Sequence, residues 1–429
     1  MKKFLIGIPL LLVVLVFGLA ALAGITPSFI IYGPGVGSGI GAKLLCSAEY
    51  VMEQPRDQAF ADLVQYSSIL SELTIAYDTD QQMVTTSLFG LAEKTATYIP
   101  GLGCAVDYPD VNARRSIVVS PPLPSARPWP AGDTVTTLDP ALQSLTETLV
   151  EEDNAAGLNT RALLVVHDGV IRAEAYAQGA DAQTPLLGWS MAKSLVAIML
   201  GNLEMRGLID LSARPGFEQW QDERAEIGIT DLLTMTDGLA FAEEYNPGDD
   251  ATAMLFTEPS MSDYVLAAPL ENPPGTVFNY SSGTANLLAR LHHDTLGGPQ
   301  AAYSDYMTHV FRPMAFQNAV FEVDASGVFA GSSYFYASAR DWARMGQLML
   351  NSGELNRQRI VTADWVRRAT TPNDSRNDRA YGYQWWLNRG NARLRYPDLP
   401  ADAYFANGNR QQRVMVVPSA GVVIVRLGW

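Results

Sequence analysis

Cysteine, histidine and lysine are all scarce in this chain, and each shortage removes a class of chemistry. The 429 residues include two cysteines, Cys46 and Cys104, and no C-x-x-C, so zinc-ribbon and thioredoxin-like readings fall away. The four histidines, His167, His292, His293 and His309, form no H-E-x-x-H and share no ligand spacing with the cysteines. Neither a metal nor a cofactor is expected. Thirty basic residues against 45 acidic ones leave a formal charge of −15 and no basic stripe. Phosphate binding needs clustered Lys and Arg, so a nucleic-acid partner is not expected.

Apolar residues are plentiful. At 48% hydrophobic and 10% aromatic, the chain can bury a sizeable core in one large or two ordinary domains. Lys2 and Lys3 precede an uncharged run, Phe4 to Ala23, that ends in Ala21-Leu22-Ala23, similar to an A-x-A cleavage site. Residues 1–24 therefore read as a signal peptide or, since roughly 20 apolar residues span a bilayer, as an uncleaved membrane anchor. Either reading exports the chain to the periplasm, free or anchored in the inner membrane with the two lysines inside. There Cys46 and Cys104 are expected to pair, the alternative being two separate buried thiols.

"YGPGVGSGIGAK", Tyr32 to Lys43, has the glycines of a phosphate loop but neither motif spacing, and reads as a flexible link. An amphipathic stretch, Phe60 to Leu73, and a strand-like one, Met83 to Leu91, follow. "PPLPSARPWPAG", Pro121 to Gly132, can be neither helix nor central strand. It divides an N-terminal region with linker, 25–132, from a second domain, 133–429. In that domain Ala162 to Val166 and Val170 to Tyr176 flank an Asp168-Gly169 turn, and Arg413 to Leu427 reads as two strands around Pro-Ser-Ala-Gly. Strands at both ends with helical patterns between them predict an α+β fold whose terminal strands share one antiparallel sheet.

The candidate chemistry lies in "LLGWSMAKSLVAIML", Leu186 to Leu200. If Ser190 starts a helix, Lys193 falls on the same face within reach of its hydroxyl. The bland reading is a serine N-cap and a solvated lysine. Distribution favours chemistry: Lys193 is the only lysine after residue 94, whereas the same span holds 24 arginines. Arginine serves surfaces and ion pairs but does not release its proton, while a desolvated lysine becomes a base. Lowering its pKa from ~10.4 to ~8 costs about 3 kcal/mol. A partner appears in "PPGTVFNYSSGTANLLARL", Pro273 to Leu291, where Tyr280 sits just before a helix capped by Ser281 or Ser282. Gly188-Trp189-Ser190-Met191-Ala192 also approaches the G-x-S-x-G of α/β-hydrolases, but no strong strand precedes it and no histidine follows late in the chain.

With "VVHDGVI", "ITDLLTMTDGL", "ASARDWARMGQLMLNSGEL", "YGYQWW" and "ANGNRQQRVMVVPSAGVVIVRLG" in the expected order, these residues resemble the serine β-lactamase and penicillin-binding superfamily, in its class C-like esterase, D-aminopeptidase and nylon-oligomer hydrolase branch. The resemblance runs from about Leu138 to Leu427. It implies a β-lactamase/transpeptidase-like fold and a hydrolase acting on a small-molecule ester or amide. It implies Ser190 as acylating nucleophile, Lys193 as base and Tyr280 as proton shuttle. Aligning the family's Lys-Thr-Gly strand to Asn409-Arg410-Gln411 implies Gln412 N–H as an oxyanion donor and Asn409 beside the substrate. Two departures stand out. Tyr-x-Asn becomes Tyr280-Ser281-Ser282, and the Lys and Gly of Lys-Thr-Gly are replaced, so esterase chemistry is expected over β-lactam hydrolysis. The alternative from another class is an inactive binder of cell-wall peptide or a protein partner. Tyr245 and the pair Trp385-Trp386 are candidate substrate walls, and Glu243, Glu244, Asp249 and Asp250 are expected to form a solvated lid.

Overall fold

Glycine disfavours helix by about 1 kcal/mol per residue, so five glycines between Tyr32 and Lys43 argue for a link. The computed structural model, which describes residues 26–121, 125–177 and 179–429, instead places them inside a long helix, α1 (Pro27–Tyr50). The expected signal or anchor segment, 1–24, and residues 122–124 of the proline-rich stretch lie outside the described residues. The glycines of α1 are points of close approach. A Cβ on Gly39 would stand 2.2 Å from the Phe256 carbonyl oxygen, and one on Gly37 2.7 Å from Leu88 Cδ2. Burial of Val36, Leu44 and Leu45 on the same helix offsets the poor propensity. By length and composition α1 could cross a membrane, yet most of it is buried in the fold.

Against α1 lies an antiparallel meander of β1 (Leu73–Asp78), β2 (Met83–Leu88), β3 (Leu91–Ile99) and β4 (Gly103–Val106). The stretch expected to be one amphipathic element from Phe60 to Leu73 is split between a helix, Arg56–Leu63, and a 3-10 turn, Ser68–Glu72. Cys46 and Cys104 form a disulfide from α1 to β4, with Cα atoms 6.0 Å apart. Beside it the fully buried Glu322 carboxylate pairs with Lys43 Nζ and accepts from Ser47 Oγ at 2.9 Å and the Cys104 N–H at 2.8 Å. That ion pair ties the N-terminal region to the body of the chain. The proline-rich segment is likewise fastened, since the buried Arg344 donates to the Pro130 carbonyl at 2.9 Å and the Gly132 carbonyl at 2.6 Å.

The body is α+β. The strands of its largest sheet are β5 (Thr160–His167), β6 (Val170–Tyr176), β7 (Trp386–Leu387), β8 (Tyr404–Gly408), β9 (Gln412–Val417) and β10 (Val422–Gly428). They form one antiparallel sheet in the order β7-β8-β9-β10-β5-β6, so the terminal strands pair as expected, with Val425 opposite Leu164. Period-two burial drives the pairing: Ala162, Leu164 and Val166 of β5 and Val423, Val425 and Leu427 of β10 are fully buried. Three helices place the site: α2 (Ala192–Met205), α3 (Ser282–Leu296) and α4 (Ala339–Leu350). Helix α4 packs so closely on the sheet that a Cβ at Gly346 would lie 2.5 Å from Val423 Cγ1. Every residue of α2 from Ala192 to Leu203 is buried, the polar Lys193, Ser194 and Asn202 among them.

Candidate active site

The turn into α2 is held tightly. Gly188 has no room for a side chain, since a Cβ there would stand 2.0 Å from Trp342 Cζ2. Trp189 follows with φ +48°, a left-handed conformation that bulky residues rarely adopt and that local packing must enforce. Ser190 sits in a short 3-10 turn, Trp189–Met191, and neither that turn nor α2 receives a side-chain cap. The hydroxyl instead lies 2.9 Å from Lys193 Nζ. Its position favours chemistry over capping.

Lys193 is 1% exposed and donates to Ser190 Oγ, to Ser282 Oγ at 3.0 Å and to the Ser332 carbonyl at 3.1 Å. Its Nζ also lies 4.9 Å from the centre of the Tyr280 ring. Burial lowers its pKa to about 8, with the Glu243 carboxylate pulling the other way. Ser281 is the cap of α3, accepting the Thr284 N–H at 3.0 Å. This leaves the Ser282 hydroxyl free to accept from Lys193 and donate to Glu243 Oε1 at 2.5 Å. Tyr280, half-buried, stacks 5.0 Å from the Trp386 ring and edge-on to Tyr381 at 6.1 Å. Burial and Glu243 push its phenol well above the ordinary range, Ser190 offsetting part of the effect, so at neutral pH it is an O–H donor.

The site is thus a half-buried serine on a fully buried lysine, with a neutral phenol against them at the start of α2. The family model described as Beta-lactamase matches residues 142–427. The chain belongs to the β-lactamase family. It is 26% identical over 296 residues to the 6-aminohexanoate-dimer hydrolase of Paenarthrobacter ureafaciens, an alignment covering 62% of this chain and 72% of that protein. Among solved structures it is similar in fold to a family VIII carboxylesterase, with TM-score 0.52, 15% identity, and 69% and 93% of the two chains covered. It is also similar in fold to a penicillin binding protein from Bacillus halodurans, with TM-score 0.53, 15% identity, and 66% and 94% covered. It is a β-lactamase-fold hydrolase.

In this β-lactamase-family site the other expected residues divide. Asn409 and Tyr245 line one cavity together with Trp189, and Tyr245 donates to Glu243 Oε1 at 2.9 Å. Trp385, expected as a substrate wall, is fully buried and edge-on to Tyr404 at 5.6 Å, while its neighbour Trp386 faces Tyr280. Asn409–Gln411 is not strand but a turn between β8 and β9, with Arg410 at φ +60° and Gln411 at φ +62°. The side-chain alternation of a strand does not apply there, and the Arg410 guanidinium stacks 4.5 Å from the Tyr66 ring. The Gln412 N–H, expected to be an oxyanion donor, is given to the Asn409 carbonyl. Its side chain clamps the Gly428 backbone, Oε1 accepting the Gly428 N–H at 2.9 Å and Nε2 donating to the Gly428 carbonyl at 2.5 Å.

Glu243 was expected in a solvated lid, and the structure brings it into the site. Besides Tyr245 and the Ser282 hydroxyl, its carboxylate accepts the Ser282 N–H at 2.6 Å. Nothing along the chain separates Glu243 from Glu244. The loop path alone decides which carboxylate reaches α3.

Proposed function

We propose that this hydrolase cleaves a small-molecule ester or amide through an acyl-enzyme on Ser190. The observation that carries the reading is the 2.9 Å contact between Ser190 Oγ and a buried Lys193 whose pKa is lowered to about 8. In the neutral fraction of Lys193, Nζ takes the Ser190 proton as Oγ bonds to the substrate carbonyl carbon. The oxyanion forms against the Ser190 N–H, one of the amides that a helix start leaves without a partner. Tyr280 gives its proton to the departing alkoxide or amine and recovers one from Lys193. Water then attacks the acyl-enzyme, releasing the acid and restoring Ser190. Ser282 and Glu243 hold Lys193 on the nucleophile side.

A disulfide buried between α1 and β4 and the lysine-flanked apolar run at Phe4 to Ala23 support a place outside the cytoplasm, in the periplasm or anchored to face it. Intact-mass measurement after exposure to a fluorophosphonate tests the chemistry. One covalent adduct is expected on the native protein and none on Ser190→Ala, together with loss of p-nitrophenyl acetate turnover. A Ser190→Ala variant that turned over the ester at the native rate would refute the proposal.

A further inference from the structure

A cavity of about 820 Å³ shares Trp189, Tyr245 and Asn409 with the candidate active site and extends to Thr26 and Phe29 at the start of α1. Its apolar walls come from both parts of the chain: Phe29, Val36 and Ile40 of α1, Ile69 of the N-terminal region, and Leu255 and Phe256 of the body. Gly33 and Gly37 line it without filling it. No Lys, Arg or His lines it among the described residues. Its one carboxylate, Asp249, is already engaged by the Asn246 N–H at 2.9 Å and Nδ2 at 2.8 Å. An anionic ligand therefore finds no cation along these walls, whereas a hydrocarbon finds an apolar face formed by Phe29, Val36, Ile40, Ile69, Leu255 and Phe256. At one end the groove reaches Tyr245, whose hydroxyl donates to Glu243 Oε1, the carboxylate oxygen that also accepts from the Ser282 hydroxyl beside Lys193.

We infer that this groove holds a linear hydrocarbon chain of the substrate, so that the ester or amide cleaved at Ser190 is a medium- or long-chain acyl or alkyl derivative. The inference rests on Ser190 being the nucleophile and adds the substrate class. It also gives α1 a role: the glycine-rich helix supplies one wall of the binding groove.

Two substrate series on the full chain test it and distinguish the side on which the chain sits. One is p-nitrophenyl esters from acetate to decanoate, the other acetates of alcohols from ethanol to decanol. Burying each methylene should raise kcat/KM about two- to fourfold until the groove is full. A rise in the acyl series places the chain on the acyl side, and a rise in the alkyl series on the alcohol side; values flat or falling in both overturn the inference. Ile40→Trp and Ile69→Trp, which place a large ring in the groove, should each lower the ratio of long-chain to acetate kcat/KM at least tenfold. Unchanged ratios in both also overturn it, and if one variant loses fluorophosphonate labelling altogether, the other decides. The two readings fail separately. Acetate turnover that survives Ser190→Ala sinks the acyl-enzyme itself, whereas Ser190-dependent turnover that declines with chain length sinks only the groove.

Discussion

Burying Lys193 should cost stability at neutral pH, and the cost should disappear in alkali. The ammonium is 1% exposed and its pKa falls from 10.5 to about 8 on folding. At 1.36 kcal/mol per unit this is about 3 kcal/mol of destabilisation at pH 7, where both folded and unfolded chains carry the proton. Between pH 8 and 10.5 the unfolded chain binds more protons at this position than the folded one, so this contribution to stability rises with pH. Lys193→Met removes the titration. The stability of native protein relative to Lys193→Met should therefore rise by about 2–3 kcal/mol between pH 7 and pH 10, whatever constant offset the lost hydrogen bonds introduce. Urea unfolding of both proteins at several pH values measures this, and groups common to both cancel in the difference. The same proton governs the rate: kcat/KM for p-nitrophenyl acetate, corrected with Ser190→Ala, should climb about tenfold from pH 6 to pH 7 and level off above 8. Lys193→Arg, which keeps the charge but not the proton release, should lose at least about a hundredfold in rate. A stability difference independent of pH, together with a rate flat from pH 6 to 9, would refute the view of Lys193 as a desolvated base.

Glu243→Gln should move the rising limb of that rate profile to lower pH, because its carboxylate raises the Lys193 pKa, and should lower kcat through the loosened Ser282; an unmoved limb would show that Glu243 only braces the loop. Lys43→Met leaves the Glu322 carboxylate buried without its cation and should destabilise the fold by about 3–5 kcal/mol in urea titration, whereas Lys43→Met combined with Glu322→Gln should recover much of the loss. Nitrocefin should be hydrolysed with a far lower kcat/KM than p-nitrophenyl butyrate. If Asn409 stands where the resemblance puts the Lys of Lys-Thr-Gly, the turn offers a neutral amide there while Arg410 lies against Tyr66, so one charge-assisted hydrogen bond worth about 1.5–3 kcal/mol is lost. A higher value for nitrocefin would refute that account of the turn.

Residue type and spacing along the chain were enough to single out Ser190 and Lys193 as a candidate pair, because positions three apart share a helix face and Lys193 is the one lysine after residue 94, and the fold brings the two side chains together. The same holds for the sheet: alternating apolar residues in Ala162 to Tyr176 and Arg413 to Leu427 already specify strands with one buried face, and these pair as their pattern requires. Contacts between distant segments left no such trace. The glycines of α1 read as flexible until Phe256 and Leu88 press against them, and the choice between Trp385 and Trp386 depends on which face of a two-residue strand meets the core. Glu243 becomes part of the site because its loop crosses the start of α3, 39 residues away in sequence. Propensity and period are properties of neighbours along the chain, whereas close approach and the desolvation that lowers the Lys193 pKa are properties of what the folded chain packs around a residue.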